Sequence, residues 1–147
     1  MLEFFQMFLG QSMADLPAPP FTKWLGGTVL KAELGQMEMS FRVRPEMTNP
    51  AGMLHGGIHS AILDDIVGMT VAAAGLANLY VSVNLSVDFM APARVGETVV
   101  AKAKLVRTGK TIVNAVGELY AEGGTLLSRA TTNLANTGLP AIVPQNF

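Results

Sequence analysis

The chain contains no cysteine. That removes thiol nucleophiles, Cys-based zinc sites and disulfide scaffolds together, and it fits a cytoplasmic protein. Charge is scarce too: 14% of the 147 residues are Asp, Glu, Lys or Arg, against about 25% in ordinary soluble domains. Neither sign dominates, with ten Lys plus Arg against eleven Asp plus Glu, so there is no basic footprint for nucleic acid. Long apolar runs are missing as well. The longest charge-free stretch, Ile66 to Val87, is interrupted by Gly68, Gly75, Asn78, Ser82 and Asn84, whereas a membrane span needs about 20 predominantly apolar residues. The opening MLEFFQMFLGQSMADL carries Glu3 and Gln6 where a secretory leader would be basic, and no small-residue cleavage site follows. What the chain has instead is apolar content. Half of it is hydrophobic, which excludes disorder and leaves one globular domain with a sizeable core.

Residues 1–14 read as a short amphipathic helix with Phe4, Phe5, Phe8 and Leu9 on one side. It suits packing on its own domain or on a neighbouring subunit. No Lys or Arg precedes Lys23 to favour an anionic membrane surface. LPAPP (Leu16 to Pro20) then acts as a stiff connector. From Thr28 the period becomes two. Met37, Met39, Phe41 and Val43 alternate with polar residues as a half-buried strand, and residues 28–34 form its partner across a turn at Gly35–Gln36. Ile58 to Gly75 has no proline and is apolar on nearly every side, a helix that expects to be wrapped all round. A strand follows at 81–89, then strands near 97–107, 111–122 and 125–135, separated by glycine-bearing turns at 108–110 and 123–124. Grouped strands around one long helix predict an α+β domain with a largely antiparallel sheet.

Between Gly56 and Val87 the only charged residues are Asp64 and Asp65, both on that apolar helix. A buried carboxylate costs several kcal/mol, on the order of 5, unless it is paired or hydrogen-bonded. Two in succession need a reason. Helix neighbours project about 100° apart, so the pair is not expected to share one site. One is a candidate base or nucleophile; polar contacts between subunits are the alternative for both. Immediately before the helix stands His55–Gly56–Gly57. First-turn amides lack intrahelical partners and lie at the positive dipole end, so such an N–H can stabilise an oxyanion. Alternatively, Gly-Gly is only a flexible helix entry. His55 and His59 stand four apart, but without H-E-x-x-H they do not make a zinc site, and no metal is expected. His59 reads as a partly buried histidine hydrogen-bonded at an interface.

The run NPAGMLHGGIHSAILDD resembles the signature of the hotdog-fold acyl-CoA thioesterases, in particular the phenylacetate-pathway (PaaI-like) branch. The pattern N-x5-H-G-G-x6-D falls on Asn49, His55, Gly56, Gly57 and Asp64, and SVNLSVDFMAPARVGE (Ser82 to Glu97) is similar to the strand and turn that follow the helix in that family. The likeness runs from about Thr28 to Asn136. It implies a sheet wrapped around the helix and two subunits joined in one continuous sheet, with active sites at the dimer interface. It further implies Asp64 as nucleophile or general base, Gly56 as the amide that polarises the thioester carbonyl, and Asn49 and His55 as residues positioning the thioester. Ser82 would help hold the attacking water, while Asp65 has no catalytic counterpart.

Residues 1–20 are then an N-terminal helix and Pro-rich connector, and residues 21–147 the hotdog domain. The substrate would be an acyl-CoA, with coenzyme A as part of the substrate and no separate cofactor. Its phosphates would meet Arg107 and Lys110 around the Thr108–Gly109 turn, or Arg94, with Gly57 beside the bound thioester; each cation taken singly is equally a solvated surface charge. Non-catalytic acyl-CoA sensors and acyl-thioester dehydratases or hydratases share the fold and remain the alternatives. The charge-poor composition points to an oligomer: a homodimer as the minimal unit and a homotetramer when dimers pair, with the Phe-rich first helix as one contact.

Overall fold

A computed structural model describes residues 1–144. Chain order is α1 (Leu2–Met7), a short 3-10 turn (Met13–Asp15), α2 (Pro20–Leu25), β1 (Thr28–Glu33), β2 (Gln36–Arg42), a second 3-10 turn (Pro45–Met47), α3 (Gly56–Ala73), β3 (Asn78–Phe89), β4 (Thr98–Thr108), β5 (Ile112–Ala121) and β6 (Leu126–Pro140). The six strands form one sheet in the order β1-β2-β4-β5-β6-β3, with every neighbouring pair antiparallel. This is the expected hotdog arrangement: α3 packs on β2 to β6 while the sheet curls round it.

Alternation makes the strands. In β2, Met37, Met39 and Phe41 point inward and are fully or almost fully buried. Gly35 takes φ +76° in the turn between β1 and β2, a left-handed conformation that glycine adopts without strain. The helix approaches β5 so closely that a Cβ on Gly117 would lie 3.1 Å from Leu63 Cδ2. Ile62, Leu63, Ile66 and Val67 are completely buried on that side.

Three elements differ from their sequence pattern. The first helix is α1 alone, six residues rather than fourteen, and Gly10 at φ +79° turns the chain just beyond it. A helix that periodicity did not reveal, α2, begins at the last proline of LPAPP; proline fits the first helical position because no N–H is needed there. Finally, α3 is not sheathed on every side. Gly68 and Ala72 are exposed, and Asp64 and Asp65 are only partly buried. Among the described residues no helix is long and apolar enough to cross a membrane.

Candidate active site

Helix α3 starts at Gly56 with His55 as its cap. His55 Nδ1 accepts the Gly57 N–H at 2.8 Å, and the Ile58 and His59 amides bond to His55 O at 2.8 and 3.1 Å. That leaves the Gly56 N–H, which takes part in no hydrogen bond among the described residues. It is the one first-turn donor still available to a ligand. Gly56, Asn49, His59, Phe89 and Pro92 line a cavity of about 350 Å³. The Asn49 side-chain carbonyl is occupied locally, accepting from Ala51 N at 3.0 Å and Met53 N at 3.1 Å, so it shapes the loop that enters the helix. His59, fully inside, bonds through Nδ1 to Ser128 Oγ at 2.9 Å and stands edge-on to Phe89. Burial pushes its imidazole below the ordinary value, against a smaller raising effect from the Leu54 backbone. The two histidines thus hold separate partners.

Asp64 lies elsewhere. Ser82 Oγ, on β3, donates to Asp64 Oδ1 at 2.6 Å, and both line a second, larger cavity of about 470 Å³. Asp65 lines it too, so the two carboxylates do share one cavity, against the expectation from their spacing. Their contacts diverge as that spacing requires. Asp65 Oδ1 accepts from Thr22 Oγ1 on α2 at 2.8 Å, while its Oδ2 is buried with no partner among the described residues. Burial above all drives the Asp65 carboxyl up from 3.8 to about 6; the Thr22 hydroxyl opposes this and the Asp64 charge adds to it.

Within one chain the predicted site residues therefore fall into two groups. Asp64 and Ser82 are together; Asn49 and Gly56 are together, with His55 and Gly57 at the same helix end. The groups do not meet, because Gly56 and Asp64 are eight residues apart on α3, about 12 Å along its axis. The expected cations divide likewise. Tyr80 OH donates to Gly109 O at 3.2 Å and Lys110 O at 3.0 Å, tying the turn after β4, with Arg107 and Lys110, to the wall of the Asp64 cavity. Arg94 is bridged to Met53 beside the Gly56 cavity. All three are exposed and join none of the ion pairs among the described residues. The larger cavity also has walls that no motif announces: Phe4, Phe5, Met13 and Ala18 from the N-terminal segment, and Gly68 from α3. Met53, Leu54 and Phe89 line the Gly56 cavity and not the larger one.

Residues 51–128 match the family model for the thioesterase superfamily. The chain belongs to the thioesterase superfamily. The span matched by the family model contains His55, Gly56, Asp64 and Ser82, while residues 1–50 lie outside it. Human acyl-coenzyme A thioesterase 13 is 32% identical to this thioesterase over 117 residues, covering 74% of the chain and 80% of the relative. Zebra fish thioesterase superfamily member 2 superposes with a TM-score of 0.76 at 25% identity, over 91% of this chain and 94% of that one. The PaaI protein of E. coli shares the fold, with a TM-score of 0.75 at 19% identity over 80% and 84% of the two chains. By family this thioesterase is a thioester hydrolase.

Proposed function

We propose that the protein hydrolyses acyl- or aryl-CoA thioesters to the free acid and coenzyme A, in composite sites built by two copies of the chain. One observation carries this reading. The free Gly56 N–H and the Asp64–Ser82 pair are complementary halves of an acyl-transfer site, yet they occupy different cavities of one chain. A symmetric neighbour supplies the missing half. Strand β3 is a sheet edge on which Val81, Val83 and Phe89 are each roughly half exposed, as is Met90 just after it, and a long apolar edge of this kind is a template for another strand. Antiparallel pairing of β3 with its copy, centred near Leu85 and Ser86, sets Ser82 opposite the partner subunit's Phe89. That brings Asp64 toward the partner's Gly56. Arg107 and Lys110 then approach from one subunit and Arg94 from the other, around the mouth where coenzyme A phosphates would lie.

The chemistry follows from the two halves. Ser82 occupies Asp64 Oδ1, which leaves Oδ2 to take a proton from water as it attacks the thioester carbon. Direct attack by Asp64 Oδ2, with later hydrolysis of the resulting anhydride, uses the same geometry. In either course the carbonyl oxygen becomes an oxyanion facing the Gly56 N–H at the positive end of α3. Collapse breaks the C–S bond, and the departing thiolate takes up a proton, the one held by Asp64 in the first course or one from water in the second. His55 acts by capping the helix and fixing that amide, and Asn49 by holding the entry loop. Coenzyme A is part of the substrate and no separate cofactor takes part. The charge-poor, cysteine-free composition supports a cytoplasmic homodimer, with homotetramers formed by pairing of dimers.

Free thiol released from a panel of acyl-CoA esters tests the reading. Wild-type protein is expected to turn over at least one member, and Asp64→Asn to lower kcat by about a thousandfold or more with the fold intact. Tight binding of an ester without thiol release would instead make this a sensor. Near-wild-type turnover by Asp64→Asn would remove the catalytic assignment.

A further inference from the structure

The larger cavity extends well beyond Asp64, and its shape comes from two sources. Asp64, Gly68 and Ala72 follow one another at four-residue spacing, one row along α3, and all three line the cavity. Gly68 lies in the interior of the helix, where glycine is less favourable than alanine. Its conformation does not require glycine, since its φ is not positive, and a Cβ built on it meets nothing within 4 Å. The missing side chain therefore relieves no clash within the chain; what it leaves is depth in the cavity.

The opposite wall is the N-terminal segment, with Phe4, Phe5 and Met13 facing the cavity. This wall is fixed to the sheet. Gly10 N donates to Val29 O and Met13 N to Gly27 O, each at 2.8 Å, and Gln6 Nε2 donates to Ala32 O at 3.1 Å. Thr22 holds the following helix to Asp65. The wall also lies outside residues 51–128, the part matched by the family model.

Resting on the thioesterase reading, we infer that Gly68 and the Phe4–Phe5 wall determine which acyl groups the enzyme accepts. The acyl group leaves the Asp64–Ser82 end and runs along the Gly68–Ala72 row beneath the N-terminal segment. A mainly apolar cavity of about 470 Å³ takes a medium-length alkyl or an aryl group in preference to acetyl or to a charged acyl group.

The test is kcat/KM for straight-chain acyl-CoA esters from butyryl to dodecanoyl, read as thiol release, with the mass of the assembly followed by light scattering. Gly68→Leu fills the row and is expected to lower the long-to-short ratio by about tenfold or more, the scale on which a pocket discriminates single methylene groups, without changing the mass. Phe4→Ala moves the ratio the other way. An equal loss at all chain lengths, or an unchanged profile, would overturn the inference while leaving the hydrolase intact. A change of mass in Gly68→Leu would also overturn it, because the row would then be covered by a second copy. Absence of thiol release by the wild-type protein from every ester would overturn the thioesterase reading, and this inference with it.

Discussion

Asp65 is the residue whose surroundings conflict most with its charge. Thr22 satisfies one oxygen, the other is buried without a partner among the described residues, and the carboxyl is pushed from 3.8 to about 6. A folded chain that holds this proton more tightly than the unfolded chain loses stability as pH rises between those two values, and the loss is complete above about pH 6. At about 1.4 kcal/mol per unit the cost at neutral pH is about 3 kcal/mol at most. Asp65→Asn keeps an acceptor for Thr22 and removes the charge. It should flatten the decline in stability between about pH 4 and 6 relative to wild type, as read from urea unfolding midpoints at fixed protein concentration. An unchanged wild-type slope would show that Asp65 is ionised without penalty. The anomaly was visible in the sequence as two carboxylates on an apolar helix, and so was the separation of their roles. Thr22 was not, because a contact spanning 43 positions leaves no local pattern. Nor was the shared cavity, whose far wall comes from Phe4 and Phe5.

At the scale of elements, the start of α3 bears most of the proposed chemistry, and one substitution isolates it. Gly56 is the first helical residue, and His55 before it has φ −64° and ψ 139°, the extended conformation that a residue preceding proline prefers. Gly56→Pro therefore suits the helix while deleting the one free amide. It should lower kcat by about 10² to 10³, the usual cost of losing an oxyanion donor. Gly56→Ala keeps the N–H and places a Cβ 3.4 Å from the Phe89 ring, so it controls for crowding. If Gly56→Pro turns over as fast as Gly56→Ala, the amide is not the oxyanion donor. Sequence pattern located this helix and all six strands to within a few residues, because a period of two survives in Met37–Met39–Phe41 and in Val81–Val83–Leu85. It failed where structure is short or its punctuation ambiguous. Six residues, Pro20–Leu25, make fewer than two turns and show no periodicity, and a run of prolines reads equally as a breaker and as a helix start. The strand β6 runs to Pro140, beyond the expected 135, because its end follows the pairing of Pro140 with Asn78 on β3 rather than any signal of its own.

For the whole molecule, the proposed dimer gives the shortage of charge and the division of the site into two cavities one explanation: each chain is half of a functional unit. Its exposed apolar surface is concentrated in part along the β3 edge, the edge that carries Ser82 toward Asp64 at one end and Phe89 toward Gly56 at the other. In the proposed dimer a two-fold axis through that edge would make two identical composite sites, each drawing Asp64 from one subunit and Gly56 from the other. This arrangement has a consequence that no single-chain site shares. Asp64→Asn and Gly56→Pro subunits should each be a hundredfold or more impaired as homodimers, at about the scale of losing one oxyanion donor, because both of their sites carry the defect. A mixed dimer places both defects in one site and leaves the other whole. Co-expression in equal amounts, with random pairing, makes half the dimers mixed and restores about a quarter of the wild-type sites. Differently tagged subunits allow the mixed dimer to be purified, and it should then show about half the wild-type kcat per dimer with an unchanged KM. Were Gly56 and Asp64 of the same chain to act together, every site in the mixed dimer would carry one defect, and no activity would return at any mixing ratio.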